Sequence, residues 1–321
     1  MSVVAGCSLF DGVLLTADCR ATIRRPYREN IYSDNVLKVI AISPDTAIGF
    51  VGDIDVASFL LHRLLIEIRR RKRKDPTNLS LWMPRFFRYY FNQFVSKKGK
   101  RTLVFMIASV LRGHRNIVER QAVVELTNRI LSGQSSIQRN WIPSFLLDFL
   151  KIPPKYKFVE IPGSCRNVLY TLESPEFIKK DFPPLKYTAI GSGDSCLERI
   201  DFYHDSIVAL DPGNSRIEGA QFRDVIQRFI WEKNIQSVGG LYPVLKISGM
   251  GVEHIGMGTE IPIGGTRIEL LFRSGRWVQK NESEGKEVTM QMPWEFVKNP
   301  IYKNSTFDDL KNTMTAFKAN D

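Results

Sequence analysis

Apolar residues open the chain in two short unbroken runs. Val3-Val4-Ala5 and Val13-Leu14-Leu15 flank Asp11-Gly12, a two-residue hairpin signal. Residues 2–10 therefore read as one strand and Val13 to Ala17 as its return. Both runs are apolar on two faces, as expected of a sheet covered on each side. Residues 19–35 are polar and basic and read as a loop or an edge hairpin. Lys38 to Ile42 and Thr46 to Val51 read as two further strands around the turn Ser43-Pro44-Asp45. Four short strands in succession predict an antiparallel sheet.

The period then changes. From about Asp53, Val56, Phe59, Leu60, Leu64 and Ile68 fall on one helical face. A second helix is expected over about 79–97, with Trp82, Phe86, Tyr89 and Tyr90 along one side and Arg85, Arg88 and Lys97 interleaved. Aromatic and basic residues together suit single-stranded nucleic acid, but their helical spacing favours a helix packed between layers. Thr102 to Ala108 reads as a strand, Val118 to Leu131 as a helix, and residues 141–150 as an apolar segment ended by Pro153-Pro154. Asn167 to Leu172, Tyr187 to Ile190, Leu241 to Ile247, Arg267 to Phe272 and Arg276 to Val278 read as strands. Helices are expected near 193–209, 219–234 and 307–318, the last signalled by Ser305 and Asp308. The glycine-rich stretch Gly249 to Gly258 reads as a loop. Strands, two helices, strands, two helices, strands: this order predicts an α+β protein with two stacked sheets and helices on both outer faces.

Composition narrows the classes. A chain of 321 residues lies near the upper size for one core, so one domain with a large insertion and two domains both remain open. The longest uncharged apolar stretch, between Arg101 and Arg112, is too short to span a bilayer. The N-terminus lacks the basic region of a secretion signal, so a cytoplasmic location is expected. Cys7, Cys19, Cys165 and Cys196 form no CxxC pair. Net charge is +11, which permits an acidic partner. The densest basic run, residues 69–74, follows a helical stretch, where cations suit the helix C-terminus; a solvated helix end is the favoured reading. His62, His114, His204 and His254 are scattered and form no HExxH pattern, and there is no GxxxxGK[ST] loop. Glu253, His254 and Glu260 are conceivable metal ligands but read as solvated loop residues, so no metal and no cofactor is expected.

Candidate chemistry begins at Ser2. Removal of Met1 leaves a serine that carries both a hydroxyl and an α-amino group. An α-amine titrates at about 7.7–8.0, so part of it is neutral near pH 7 and can serve as base for the adjacent hydroxyl. The hairpin returns Asp18 beside the start of the chain. Lys38 opens the next strand, where its charge would favour the ionised hydroxyl and Asp18 would hold its ammonium. Gly49 and Gly52 lie before a helix, where a backbone N–H suits an oxyanion.

These residues carry a resemblance. Ser2-Val3-Val4-Ala5, Asp11 to Thr22, Asn35-Val36-Leu37-Lys38-Val39 and Ile48-Gly49-Phe50-Val51-Gly52-Asp53 resemble the start of proteasome β subunits and their bacterial heat-shock protease relatives. Ala189-Ile190-Gly191-Ser192-Gly193-Asp194 is similar to a later Gly-Ser-Gly segment of that family. The resemblance implies a four-layer αββα sandwich of two mostly antiparallel sheets, the N-terminal-nucleophile hydrolase fold. It implies Ser2 as nucleophile, Asp18 as carboxylate, Lys38 as lysine, Gly49 as oxyanion glycine and Ser192 as support for the amine. It further implies a peptide or protein substrate and a homo-oligomer. Here the usual threonine is a serine. Where the family often carries an acid and a serine, this chain has Ile235-Gln236-Ser237. On this basis residues 1–280 form the hydrolase-like domain, with an insertion at about 113–185, and residues 281–321 a C-terminal extension. The same acyl-enzyme serves a transpeptidase or ligase, and a non-catalytic scaffold of the fold is a third expectation.

Overall fold

The computed structural model describes residues 2–23, 31–71, 76–98, 101–132, 144–192, 223, 226, 238–255, 268–273, 276–281 and 284–296. The first hairpin forms as its sequence predicts. Strands β1 (Val3–Ser8) and β2 (Gly12–Ala17) pair antiparallel, and the Leu9 N–H donates to Gly12 O at 2.7 Å across the turn. Residues 19–35 contain an edge hairpin of β3 (Ala21–Ile23) and β4 (Ile31–Ser33). Strands β5 (Val39–Ser43) and β6 (Thr46–Gly52) form the next antiparallel pair.

The four early strands do not share one sheet. β1 and β2 lie in a five-stranded sheet of order β10-β1-β2-β11-β12, completed by β10 (Tyr187–Gly191), β11 (Val244–Ser248) and β12 (Gly251–Ile255). β5 and β6 open a second sheet, β5-β6-β7-β8-β9, with β7 (Leu103–Glu119), β8 (Phe158–Glu173) and β9 (Ile178–Asp181). Each hairpin is apolar on both faces and needs cover on both, and each supplies part of the other's. Every pairing in the two sheets is antiparallel. A third sheet holds β13 (Ile268–Arg273), β14 (Arg276–Asn281) and β15 (Glu287–Thr289). The class is α+β.

Period-two alternation assigns the faces. Val4, Leu15 and Ala17 of the first sheet share one apolar cluster with Val39, Ala47, Met106 and Leu169 of the second. The opposite face of the second sheet, with Ile48, Phe50, Phe105 and Tyr170, meets helices α1 (Ile54–Arg71) and α2 (Pro76–Lys98). Asp53 caps α1, its Oδ1 accepting the N–H groups of Asp55 and Val56 at 3.0 and 3.2 Å. Phe87 of α2 stacks on Phe105 at 4.5 Å, so part of the aromatic content of 79–97 is core; Tyr89 faces solvent. The other face of the first sheet, with Val3, Ala5 and Leu14, meets α3 (Arg120–Leu131) and α4 (Ser144–Leu150) through Val123, Leu126, Leu146 and Phe149. The apolar stretch 141–150 thus serves this core through Leu146 and Phe149.

Some elements differ from the sequence pattern. β7 and β8 run beyond the expected strands, through Arg112 to Arg115 and the facing residues, where exposed charges and two register shifts hide the alternation. Gly251 to Ile255, read as loop, is strand β12: Gly249-Met250 forms a tight turn, and β12 pairs back on β11. The helices expected at 193–209 and 307–318 lie outside the described residues, as does the one at 219–234 apart from Arg223 and Ile226, which are helical. A short helix, α5 (Pro293–Phe296), buries Trp294 in the α1–α2 cluster. No helix among the described residues is long and apolar enough to cross a membrane.

Candidate active site

The β1–β2 register places Ala17 opposite Val4, so the next residue, Asp18, arrives beside Val3. The Asp18 N–H donates to Val3 O at 3.1 Å, and Asp18 Oδ1 accepts the Val3 N–H at 2.9 Å. Asp18 Oδ2 accepts the Arg20 N–H at 3.1 Å and Lys38 Nζ at 2.8 Å. Lys38 precedes β5 and is placed by the Phe50 N–H, which donates to Lys38 O at 3.2 Å. Its ammonium donates to Ser2 Oγ at 2.8 Å, to Asp18 and to Arg20 O. An ammonium has three N–H donors, and here each has an oxygen. Ser2, Asp18 and Lys38 are all buried.

This arrangement has an electrostatic consequence. Burial pushes the Asp18 carboxyl above its ordinary 3.8, against the opposing pull of Lys38 and of the Val3 and Arg20 N–H groups. Burial, and then the Asp18 charge, push the Cys19 thiol well above its usual range, so Cys19 is no thiolate nucleophile.

Ser192 also reaches the site, through the backbone. β10 pairs with β1, setting Gly191 opposite Val3, and the Ser192 N–H donates to Ser2 O at 2.9 Å. Gly191 has φ +75°, and a Cβ there would stand 2.2 Å from Ser2 O. Only glycine permits both the turn and the approach.

Gly49 meets β1 at Val4. It lies within β6, not at its end, paired with Val39 on one side and Met106 on the other. A Cβ there would stand 2.7 Å from Val4 Cγ1, so its bareness lets the two sheets approach. N–H groups alternate sides along a strand. The Phe50 N–H points to Lys38 in the β5 direction, so that of Gly49 points to Met106 in β7. An oxyanion role for Gly49 needs that ladder bond exchanged for one to substrate. Gly52, which ends β6, has φ +116°.

One pair at the rim was not anticipated. The Arg20 guanidinium forms a bidentate pair with Asp34, Nε to Oδ1 at 2.6 Å and Nη2 to Oδ2 at 2.7 Å. It packs against Gly239, where a Cβ would stand 2.6 Å from Arg20 Cζ. The signal in the sequence was the proximity of Arg20 to Asp18, with an acid in the same polar segment. Met1, Ile235, Gln236 and Ser237 lie outside the described residues, as do Gly193 and Glu260. Among the described residues no group of His, Cys, Asp and Glu side chains could hold a metal ion. No protein-family model matches the chain, and no curated protein matches it in sequence.

Proposed function

We propose that the protein is an N-terminal-nucleophile amidohydrolase that cleaves peptide or amide bonds through Ser2 after Met1 is removed. Lys38 Nζ at 2.8 Å from both Ser2 Oγ and Asp18 Oδ2 carries this reading. The direction of the hydrogen bond matters. As an ammonium paired with Asp18, Lys38 donates to Ser2 Oγ and leaves the hydroxyl its own hydrogen for another acceptor. The α-amine exposed on Ser2 is the base within reach. It takes the hydroxyl proton as Oγ bonds to the carbonyl carbon, and the Lys38 charge offsets the negative charge developing at Oγ. The amine then passes that proton to the leaving nitrogen as the C–N bond breaks. Water attacks the resulting ester, giving its proton back through the amine, and Ser2 is regenerated. Ser192 and Gly191 hold the Ser2 carbonyl, and Asp18 orients Lys38.

The arrangement of apolar clusters supports the finer fold reading as well. α1 and α2 cover one sheet, α3 and α4 cover the other, and the sheets share the cluster between them. We assign this to a four-layer αββα sandwich of the N-terminal-nucleophile type. A cytoplasmic homo-oligomer is the form this reading gives the enzyme. Light scattering tests the oligomer, and a monomer at working concentration removes that part.

Intact mass and a β-lactone probe test the chemistry together. The expected result is loss of Met1 and one probe adduct on Ser2, absent in Ser2→Ala. A retained Met1, or a Ser2→Ala protein that still turns over an amide, overturns it.

A further inference from the structure

The segment 276–294 touches the site's framework at several places. Gln291 bridges Val36 in parallel. The Leu37 N–H donates to Gln291 O at 2.9 Å, and the Gln291 N–H donates to Asn35 O at 2.7 Å. Leu37 is the residue before Lys38. On the other flank, Trp277 and Met290 pack with Cys19, the residue after Asp18, and with Leu37 and Leu241. The Met290 N–H donates to Trp277 O at 2.8 Å, tying the two halves of the segment together. Trp294 anchors the far end in the α1–α2 cluster, beside His62.

Residues 35–38 precede β5; the Val36 N–H donates to Cys19 O at 3.1 Å and Lys38 O accepts the Phe50 N–H at 3.2 Å, which leaves Asn35 O and the Leu37 N–H to Gln291. We infer that Gln291 is a positioning residue: its backbone completes the support of residues 35–37 and so holds Lys38 Nζ at Ser2 and Asp18. The significance for catalysis rests on the hydrolase reading above, but the positioning itself does not. The backbone of Gln291 makes both hydrogen bonds, so the effect belongs to main chain rather than side chain. The C-terminal extension is thereby part of the site's frame.

Proline at 291 removes the donated bond to Asn35, whereas alanine keeps it. The test is acylation of lysines with acetic anhydride, followed by peptide mass spectrometry on the full chain. Lys38 and Lys246 are equally buried, and Lys246 pairs with Asp11 at the β1–β2 turn, whereas the Gln291 backbone bonds run to Asn35 and Leu37. In Gln291→Pro, Lys38 should acylate about fivefold faster, the factor one net hydrogen bond corresponds to, while Lys246 keeps its parent rate. Gln291→Ala should match the parent at both. Lys38 unchanged in Gln291→Pro overturns the inference. So does an equal rise at Lys38 and Lys246, which marks a general loss of stability. Ser2 is labelled in parallel with a β-lactone. An unlabelled Ser2 in the parent rejects the hydrolase reading and leaves the Lys38 result standing.

Discussion

Asp18 and Lys38 form a buried ion pair at 2.8 Å, with the Asp18 carboxylate fully enclosed and Lys38 only 3% exposed. Removing one partner strands the other charge in the interior. Lys38→Met should therefore lower unfolding stability by roughly 3–5 kcal/mol and abolish Ser2 labelling. Replacing both residues, as Asp18→Asn with Lys38→Met, removes both charges and should recover part of that stability without recovering labelling. Urea titrations of the four proteins in the cycle provide the check. A double variant no more stable than Lys38→Met would show that the charge itself is not the cost.

The acid side of activity follows from the same pair. Asp18 must be ionised to orient Lys38, and burial raises its carboxyl above 3.8. Lowering the pH protonates Asp18 earlier than an exposed aspartate. Below the fall caused by protonation of the Ser2 amine, which titrates at about 7.7–8.0, Ser2 labelling should consequently show a second acid step whose midpoint lies above 3.8. A pH series of labelling rates measures it, and a midpoint at or below the ordinary value would mean that the pairing outweighs burial.

Much of this site was legible because it is local. A two-residue turn defines the β1–β2 register, and the register carries Asp18 to Val3 without further information. The helix after Asp53 was legible for the same reason, through its cap and its apolar face. What failed to show was partnership across long separations. Nothing in the runs at 3–17 and 39–51 says that the hairpins belong to different sheets, because both faces of each are equally apolar. The place of Ser192 follows from the β1–β10 pairing, and that of Gln291 from a parallel bridge, neither of which has a local signature. Gly49 shows the same limit: the sequence puts it just before the helix, but Phe50 and Val51 still intervene before β6 ends at Gly52, and the side to which its N–H points follows from the pairing with β7.

His254 gives a stability prediction away from the chemistry. It stands on β12 with its ring 4.4 Å from that of Trp277, edge to face. Burial lowers its pKa from 6.5 to about 4. Between those values the unfolded chain binds a proton that the folded chain does not, so stability falls as pH falls through this window. The loss begins near 6.5, is complete by about 4, and amounts to on the order of 3 kcal/mol. His254→Phe keeps an aromatic ring against Trp277 and cannot titrate. Its unfolding free energy should decline less than the parent's over that range. Equal slopes for the two proteins would rule out His254 as the source.

Gly191 and Gly49 should differ in how they tolerate a methyl group. At Gly191 the obstacle is backbone: a Cβ would lie 2.2 Å from Ser2 O, and φ +75° is itself unfavourable for alanine. The conformation alone costs about 1–2 kcal/mol, and relief of the clash must move the Ser2 carbonyl and, with it, the hydroxyl. At Gly49 the obstacle is the end of a side chain, Val4 Cγ1 at 2.7 Å, which a small shift or a rotamer change relieves. Overpacking of that kind costs about 1–3 kcal/mol without displacing the Ser2 backbone. Gly191→Ala should thus lose Ser2 labelling even in the fraction that remains folded, whereas Gly49→Ala should lose stability but keep labelling in its folded fraction. Labelling normalised to folded protein, measured by circular dichroism on the same samples, separates the two. If Gly49→Ala instead loses labelling while folded, its backbone takes part in the reaction, as an oxyanion donor released from Met106 would.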